Sequence, residues 1–163
     1  MIKRSLKQVA PFSILALVAL ASIFVKPTAD FDGSGAYSSS DIAWILVATA
    51  LVFLMTPGLA FFYGGMVHRK NVISTMIKSV VAAGIVGVLW IVVGFSLSFG
   101  TSKGGFIGDP TTYLFFRNVN SGEPWSLAPT IPKSLFAFFQ LMFAIITPGL
   151  VVGAVAERIR FTA

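Results

Sequence analysis

Two phenylalanines and a glutamine near the C-terminus are the residues whose types and spacing could do chemistry. Phe139 and Phe143 are four positions apart in the stretch LFAFFQLMFAIITPGLVVGAVAERIRF, so on a helix their rings stack on one face. Gln140 places an amide among apolar residues, where it needs a hydrogen-bonding partner within the protein. A phenylalanine pair on an apolar helix is typical of core packing. The pair alone does not indicate that the two rings gate a passage through the protein.

A second group lies in the stretch FFYGGMVHRKN, whose character changes halfway. Phe62 and Tyr63 end an apolar run, and after two glycines His68, Arg69 and Lys70 form the densest basic cluster of the chain. A basic cluster directly after an apolar run is typical of a membrane boundary, where aromatic side chains also form interfacial belts. The pattern therefore predicts that this stretch lies at the edge of a membrane.

The sequence favours no enzymatic chemistry. It contains no cysteine, which excludes disulfides and thiolate metal sites. It also shows no metal-ligand spacing, no paired carboxylates within an apolar segment and no nucleophile beside a base. We therefore predict no catalytic residue, no bound metal and no cofactor.

The elements that position these residues must be membrane helices. Of the 163 residues, 56% are hydrophobic and 11% are charged, and the mean hydropathy is +0.87, which is too apolar for a soluble domain. The net charge of +6 could suggest nucleic-acid binding, but the basic residues lie at the ends of apolar segments and not on one face. The pattern predicts an all-α, polytopic membrane protein embedded in a lipid bilayer, with no nucleic-acid partner.

Changes in composition divide the chain into three parts. Residues 1–29 hold basic residues, an apolar run and an A-x-A site, which predicts a signal peptide, with an uncleaved signal anchor as the alternative. Residues 30–40 are polar and rich in glycine and serine, as in a linker. Residues 41–163 contain three predicted spans, at about 42–67, 72–99 and 135–156. Ser40 or Asp41 is the expected N-cap of the first span.

Prolines interrupt two of these spans. Pro57 lies inside the first span and Pro148 inside the third. Because proline has no backbone N–H, both helices are expected to kink or loosen unless neighbours satisfy the freed carbonyls. Such breaks are tolerated in membranes mostly where protein or a cavity surrounds them.

The basic residues also predict the orientation of the spans. The short loop at 68–71 and the segment 157–160 are basic, so both are expected in the cytoplasm, and residues 100–133 are expected outside. The signal segment independently predicts that residue 30 lies outside. We therefore predict a multi-pass protein of the cell inner (plasma) membrane, with an external N-terminus after signal removal.

Three motifs, in order along the chain, resemble the ammonium transporter family, the bacterial and plant relatives of the Rhesus proteins. They are TPGLAFFYGGMVHRKN, LWIVVGFSLSFG and FFQLMFAIITPGLVVGAVAERIRF. The resemblance covers about residues 41–163 and implies an eleven-helix, inverted-repeat channel for ammonium or methylammonium. It also implies a homotrimer with one pore per subunit, and a PII-type signalling protein as a partner on the cytoplasmic face.

The resemblance implies roles for the aromatic residues. Phe143 matches the gate phenylalanine at the floor of an external vestibule, and Phe139 matches the second aromatic residue of that motif, with Gln140 as pore-lining or vestibule support. Phe62 and Tyr63 match a pair near the cytoplasmic pore exit, with an interfacial belt as the alternative. A ring face can hold a desolvated ammonium ion, whereas hydrated sodium or potassium gains less.

The chain also departs from the family that it resembles. Members of that family are more than twice as long. Their two pore histidines have no counterpart here, because His68 matches neither of them, and their second gate residue also has no counterpart. We expect the chain to be an N-terminal portion that does not conduct ammonium alone. A membrane-bound ammonium sensor, a regulatory interaction subunit and a nonfunctional remnant remain alternatives.

Overall fold

The computed structural model describes residues 37–120 and 124–158, together with residues 13, 16, 17, 20 and 21. Within these residues, three helices are long and apolar enough to cross a membrane: Ser39–Met66, Arg69–Phe99 and Lys133–Ala154. The predicted all-α architecture with several spans is confirmed. Most of the predicted signal segment and most of the predicted linker lie outside the described residues.

The first helix, α1, spans Ser39–Met66 and begins before the predicted start. Ser38 has extended backbone angles, and its Oγ accepts a hydrogen bond from the Asp41 N–H at 3.3 Å. Ser38 is therefore the N-cap, and the prediction of Ser40 or Asp41 was wrong. The Ser38 N–H donates to the Thr130 carbonyl at 2.9 Å, so the helix start is also fixed by a distant part of the chain.

The second span consists of two α-helices joined by a π-helical turn. A 3₁₀ turn at Arg69–Asn71 leads into α2 at Val72–Leu89, the π-helical turn at Trp90–Gly94 and α3 at Phe95–Phe99. The start of α2 and the end of α3 coincide with the predicted span at 72–99. The continuous apolar sequence contains no signal that predicts the π-helical turn between them. At that turn the Trp90 indole N–H donates to the Ala137 carbonyl at 3.2 Å, which joins the second span to the third.

The third span, α4, covers Lys133–Val155, close to the predicted 135–156. Both α1 and α4 continue as helices through Pro57 and Pro148, so neither helix ends at its proline. The predicted kinking or loosening stays a prediction. The tetrapeptide TPGL occurs around each proline, at 56–59 and 147–150. The same local sequence is thus built into two helices of the bundle.

The two TPGL segments lie beside each other. A Cβ built on Gly149 would be 3.1 Å from Leu59 Cδ2, and a Cβ on Gly153 would be 2.5 Å from Tyr63 Cε1. Both contacts join residues 90 positions apart, so α1 and α4 run parallel in register. The absence of side chains at Gly149 and Gly153 therefore permits this close packing of α4 on α1.

The long loop, residues 100–132, contains a short hairpin. Ser102–Lys103 (β1) pairs antiparallel with Ile107–Gly108 (β2). The turn between the strands contains Gly104 and Gly105 at φ of 65° and 78°, a region that glycine enters without steric cost. Lys103 and Asp109 form an ion pair of 2.9 Å beside this hairpin.

An aromatic cluster packs the long loop onto the second and third spans. Phe95, Val119 and Ala137 form its buried centre, with exposures of 0%, 1% and 0%. Partly buried rings surround this centre: Trp90, Phe99, Tyr113, Phe116, Trp125 and Phe136. This cluster therefore lies at the end of the bundle that carries the long loop, where it contacts the N-terminal end of α4.

Candidate functional site

One side of α4 is not covered by α1 or α2. Buried residues lie on the side that packs into the bundle: Ala137, Leu141, Ile145, Ile146 and Val152. The opposite side, which we call the open face, contains four exposed residues at helical spacing: Phe143, Thr147, Leu150 and Val151. Phe139 and Gln140 are half-buried and lie one turn before Phe143 on this side.

Phe139 and Phe143 pack against each other at the upper part of the open face. Their ring centroids are 5.2 Å apart and their planes are inclined by 82°, an edge-to-face arrangement favoured by aromatic quadrupoles. Phe143 remains 41% exposed, so one side of its ring is available to a neighbour or a passing molecule. The spacing predicted this stack, and the gating role of Phe143 stays a prediction.

Thr147 lies one turn after Phe143 on the open face. Its hydroxyl donates to the Phe143 carbonyl at 2.7 Å, so the hydroxyl proton is used within the helix. The oxygen keeps acceptor capacity on a side chain that is exposed. In the other TPGL segment, Thr56 is 7% exposed and its Oγ1 has no hydrogen-bond partner among the described residues. Of these two threonines, therefore, only Thr147 presents its side chain on an exposed surface.

Phe62 and Tyr63, predicted near a pore exit, have different environments. Their ring centroids are 5.5 Å apart. Tyr63 packs against Gly153 of α4, and its hydroxyl donates to the Leu150 carbonyl at 3.3 Å. Phe62 is 61% exposed. Tyr63 thus joins two helices, and Phe62 is the member of the pair that presents its ring on the surface.

The sequence analysis missed a contact made by Glu157. Its Oε1 accepts hydrogen bonds from the His68 backbone N–H at 2.7 Å and from Asn71 Nδ2 at 3.0 Å. The bond with the Asn71 amide, and then that with His68, lower the pKa of the Glu157 carboxyl below its usual value. The carboxylate therefore ties the segment after α4 to the turn between the first two spans. The only signal in the sequence was one acid in a predominantly basic segment.

A cavity of about 380 Å³ lies beside this contact. Its lining comes from the ends of α1 and α4 and includes Tyr63, Met66, Val67, Gly153 and Glu157. The Tyr63 ring and the Glu157 carboxylate form part of the cavity wall. The cavity is at the end of the bundle opposite to the aromatic cluster, so Phe143 and this cavity are at different depths along α4.

The helices that carry these residues match a known family. A sequence model described as the Ammonium Transporter Family matches residues 43–163. The chain belongs to the ammonium transporter family. The match includes the first span from residue 43 onward, the other two spans, the long loop and every predicted site residue, which confirms the resemblance inferred from the three motifs.

Individual members of the ammonium transporter family show the extent of the similarity. The ammonium transporter of Mycobacterium tuberculosis (strain H37Rv) is 46% identical over 142 residues, which cover 79% of this chain and 30% of the relative. The ammonium transporter of Bacillus subtilis is 42% identical over 123 residues, covering 76% of this chain and 30% of the relative. The chain thus spans about 30% of the length of these curated relatives.

Solved structures of this family have the same arrangement of helices. The crystal structure of Saccharomyces cerevisiae Mep2 aligns with a TM-score of 0.65 and 33% identity, over 82% of this chain and 34% of the Mep2 chain. The Candida albicans Mep2 mutant delta442 aligns with a TM-score of 0.61 and 28% identity, over 80% of this chain and 35% of that one. This chain therefore shares its fold with these two structures over 82% and 80% of its length.

Proposed function

We propose that the chain forms part of a pathway for ammonium or methylammonium across a membrane. The observation that carries this proposal is the family match over residues 43–163, together with 46% identity to a protein named as an ammonium transporter. Three helices of spanning length are consistent with a wall of such a pathway. Because the chain spans about 30% of its relatives, other segments are needed to enclose the pathway.

The open face of α4 is the proposed pathway side. It combines the Phe139 and Phe143 stack with the exposed hydroxyl of Thr147, whereas the opposite side is packed against α1 and α2. We propose that the Phe143 ring is the gate, that Phe139 supports it from one turn above, and that Gln140 lines the adjacent wall. An aromatic gate favours a desolvated ammonium ion through its ring face and disfavours cations that keep their water.

The proposed exit is the cavity beside Tyr63 and Glu157. Tyr63 contributes to the cavity wall, and Phe62, which precedes it in α1, is 61% exposed. We further propose the homotrimer, the cytoplasmic position of the short loop at 68–71, a PII-type partner at that face and the plasma membrane as the location. These proposals rest on the family resemblance and on the distribution of basic residues.

A chimera tests the proposed function. Residues 39–158 of this chain would replace the aligned segment of the Bacillus subtilis ammonium transporter in cells that lack their own ammonium transporters. We expect growth on low ammonium at acidic pH and uptake of methylammonium, while the 163-residue chain alone supports neither. A chimera that reaches the membrane in normal amounts but restores no growth would contradict the proposal.

The gating role is tested by Phe143→Ala in this chimera. Phe138 is a matched control, because it is on α4 and 49% exposed but lies on another side of the helix from the open face. We expect Phe143→Ala to change methylammonium flux or its selectivity over potassium by about tenfold, the equivalent of about 1.4 kcal/mol. Phe138→Ala should leave both unchanged. Equal effects of the two substitutions would assign Phe143 to ordinary packing.

A further inference from the structure

The ammonium group of Lys133 lies between two aromatic rings of the long loop. Lys133 is the first residue of α4, and its Nζ is 5.1 Å from the centroid of the Tyr113 ring and 5.9 Å from that of Trp125. Both distances are within the range of about 6 Å at which a ring face attracts a cation. Two rings and one ammonium group therefore form a cation–π arrangement that neither the gate nor the exit uses.

A backbone carbonyl supplies hydrogen bonding to the same ammonium group. Lys133 Nζ donates to the Asn118 carbonyl at 3.2 Å. The Asn118 backbone has φ of 62°, a left-handed conformation that asparagine adopts more readily than most residues. The rings respond to positive charge, whereas the carbonyl requires an N–H donor. Together these groups favour a primary ammonium over a quaternary one.

The walls of this site are held by contacts that do not involve Lys133. The Trp125 ring packs against Phe136 at 5.0 Å, and the Tyr113 ring packs against Phe95 at 5.2 Å. The Tyr113 N–H also donates to Ser96 Oγ at 2.6 Å. Because the aromatic cluster positions both rings, shortening the lysine side chain should leave the walls of the site in place.

We infer that Tyr113, Trp125 and the Asn118 carbonyl form a binding site for a primary alkylammonium ion, which the chain fills with its own Lys133. The tethered ammonium is always close to the site, so it competes strongly with any free ion. With Lys133 in place, the site fastens the long loop to the first turn of α4. Without the lysine ammonium, the site accepts a small free alkylammonium in its place.

The test uses the purified 163-residue chain in detergent and does not depend on transport. Lys133→Ala removes three methylene groups and the ammonium, and n-propylammonium contains a matching three-carbon chain and ammonium. We expect Lys133→Ala to lower the Tm by about 2–4 °C. Millimolar n-propylammonium chloride should restore most of this loss, whereas sodium chloride and tetramethylammonium chloride at equal concentration should not.

Two further variants separate binding from a general salt effect. Lys70→Ala removes an exposed lysine at the opposite end of the bundle and should show no selective response to n-propylammonium. In Lys133→Ala combined with Tyr113→Leu, the restoration should be lost because one ring wall is missing. Equal responses to the three salts, or restoration that persists in the double variant, would overturn the inference.

A measurement on the unsubstituted chain covers the case in which Lys133→Ala does not fold. An amine-acylating reagent followed by mass spectrometry gives the modification rate of each lysine. An ammonium held by two rings and a carbonyl should react at least about fivefold more slowly at Lys133 than at Lys70. Equal rates at the two lysines would show that the site does not hold the ammonium and would overturn the inference.

Discussion

The Glu157 carboxylate joins two segments that are far apart in the sequence. Its left-handed backbone conformation, φ of 62°, turns the chain at the end of α4, and the side chain accepts hydrogen bonds from His68 and Asn71. The basic residues predicted that both segments lie at the cytoplasmic boundary of a membrane, but they did not indicate a contact between the segments. The partner of the acid could not be predicted, because it depends on how α4 packs beside α1.

This contact predicts a pH dependence of stability. The pKa of Glu157 is lowered from 4.5 in the folded chain, so the folded state binds fewer protons than the unfolded state. The stabilisation is therefore complete above pH 4.5 and is lost as the pH falls through the lowered pKa. We expect Glu157→Gln to reduce the Tm by about 1–2 °C at pH 7, with the difference from the wild type closing in acid.

Asp109→Asn is the control for this titration. The pKa of Asp109 is lowered from 3.8 to about 2, mainly by the hydrogen bond from the Thr111 backbone and then by that from Lys103. Its contribution should persist to about that lower pH. A difference between Glu157→Gln and the wild type that stays constant from pH 7 to pH 3 would rule out the carboxylate contact as a source of stability.

The Phe139 and Phe143 stack was predictable, because side chains four positions apart on any helix are neighbours. Its place on the open face was not predictable from these residues alone. Apart from Gln140, the residues next to both phenylalanines in the sequence are apolar, and the packing of α4 on α1 and α2 decides which side remains exposed.

Helix extents followed from apolar length, but their details required distant contacts. The backbone of a span must be satisfied internally in a bilayer, so long apolar segments become helices with little dependence on their exact sequence. The start of α1 depends on Ser38 and on its bond to Thr130. The π-helical turn at Trp90–Gly94 coincides with the Trp90 bond to Ala137, which no local pattern encodes.

The packing of α4 on α1 predicts the effect of a single methyl group. A Cβ at position 153 would be 2.5 Å from the Tyr63 ring, so Gly153→Ala forces the ring or the helix to move. We expect a loss of about 1–3 kcal/mol in the free energy of unfolding, measured by denaturation of the purified chain.

Gly65→Ala is the matched control for this substitution. Gly65 lies in α1, shortly after Tyr63, but a Cβ built at Gly65 has no neighbour within 4 Å. We expect a neutral or slightly stabilising effect, because alanine has the higher helix propensity. Equal destabilisation by both substitutions would show that the α1 and α4 contact is not the cause.

The bundle as a whole has its aromatic core at one end and its basic turn at the other. The long loop and the cluster around Phe95 occupy the first end, and the turn at 68–71 with Glu157 occupies the second. Which end faces the cytoplasm is a prediction from the basic residues and from the signal segment. The absence of cysteine in the sequence allows single cysteines to test it.

We predict that Ser102→Cys is labelled by an impermeant thiol reagent applied to intact cells, and that Arg69→Cys is labelled only after the cells are opened. Both positions are exposed, so a difference in labelling reports the side of the membrane and not burial. The unsubstituted chain gives the background. Labelling of Arg69→Cys in intact cells would contradict the predicted orientation and place residue 69 outside.

The π-helical turn in the second span has a consequence for how this chain can tolerate insertions and deletions. One residue added to an α-helix rotates everything beyond it by about 100°. In the second span, such a rotation would turn the packed side of α3 away from the residues that it contacts while α2 keeps its contacts. A π-helical turn absorbs the extra residue locally, so the sides before Trp90 and after Gly94 keep their partners. Loss of one residue between Trp90 and Gly94 should therefore convert the turn to α-helix and preserve both interfaces. The same loss within Val72–Leu89 would shift the packing register of half the span.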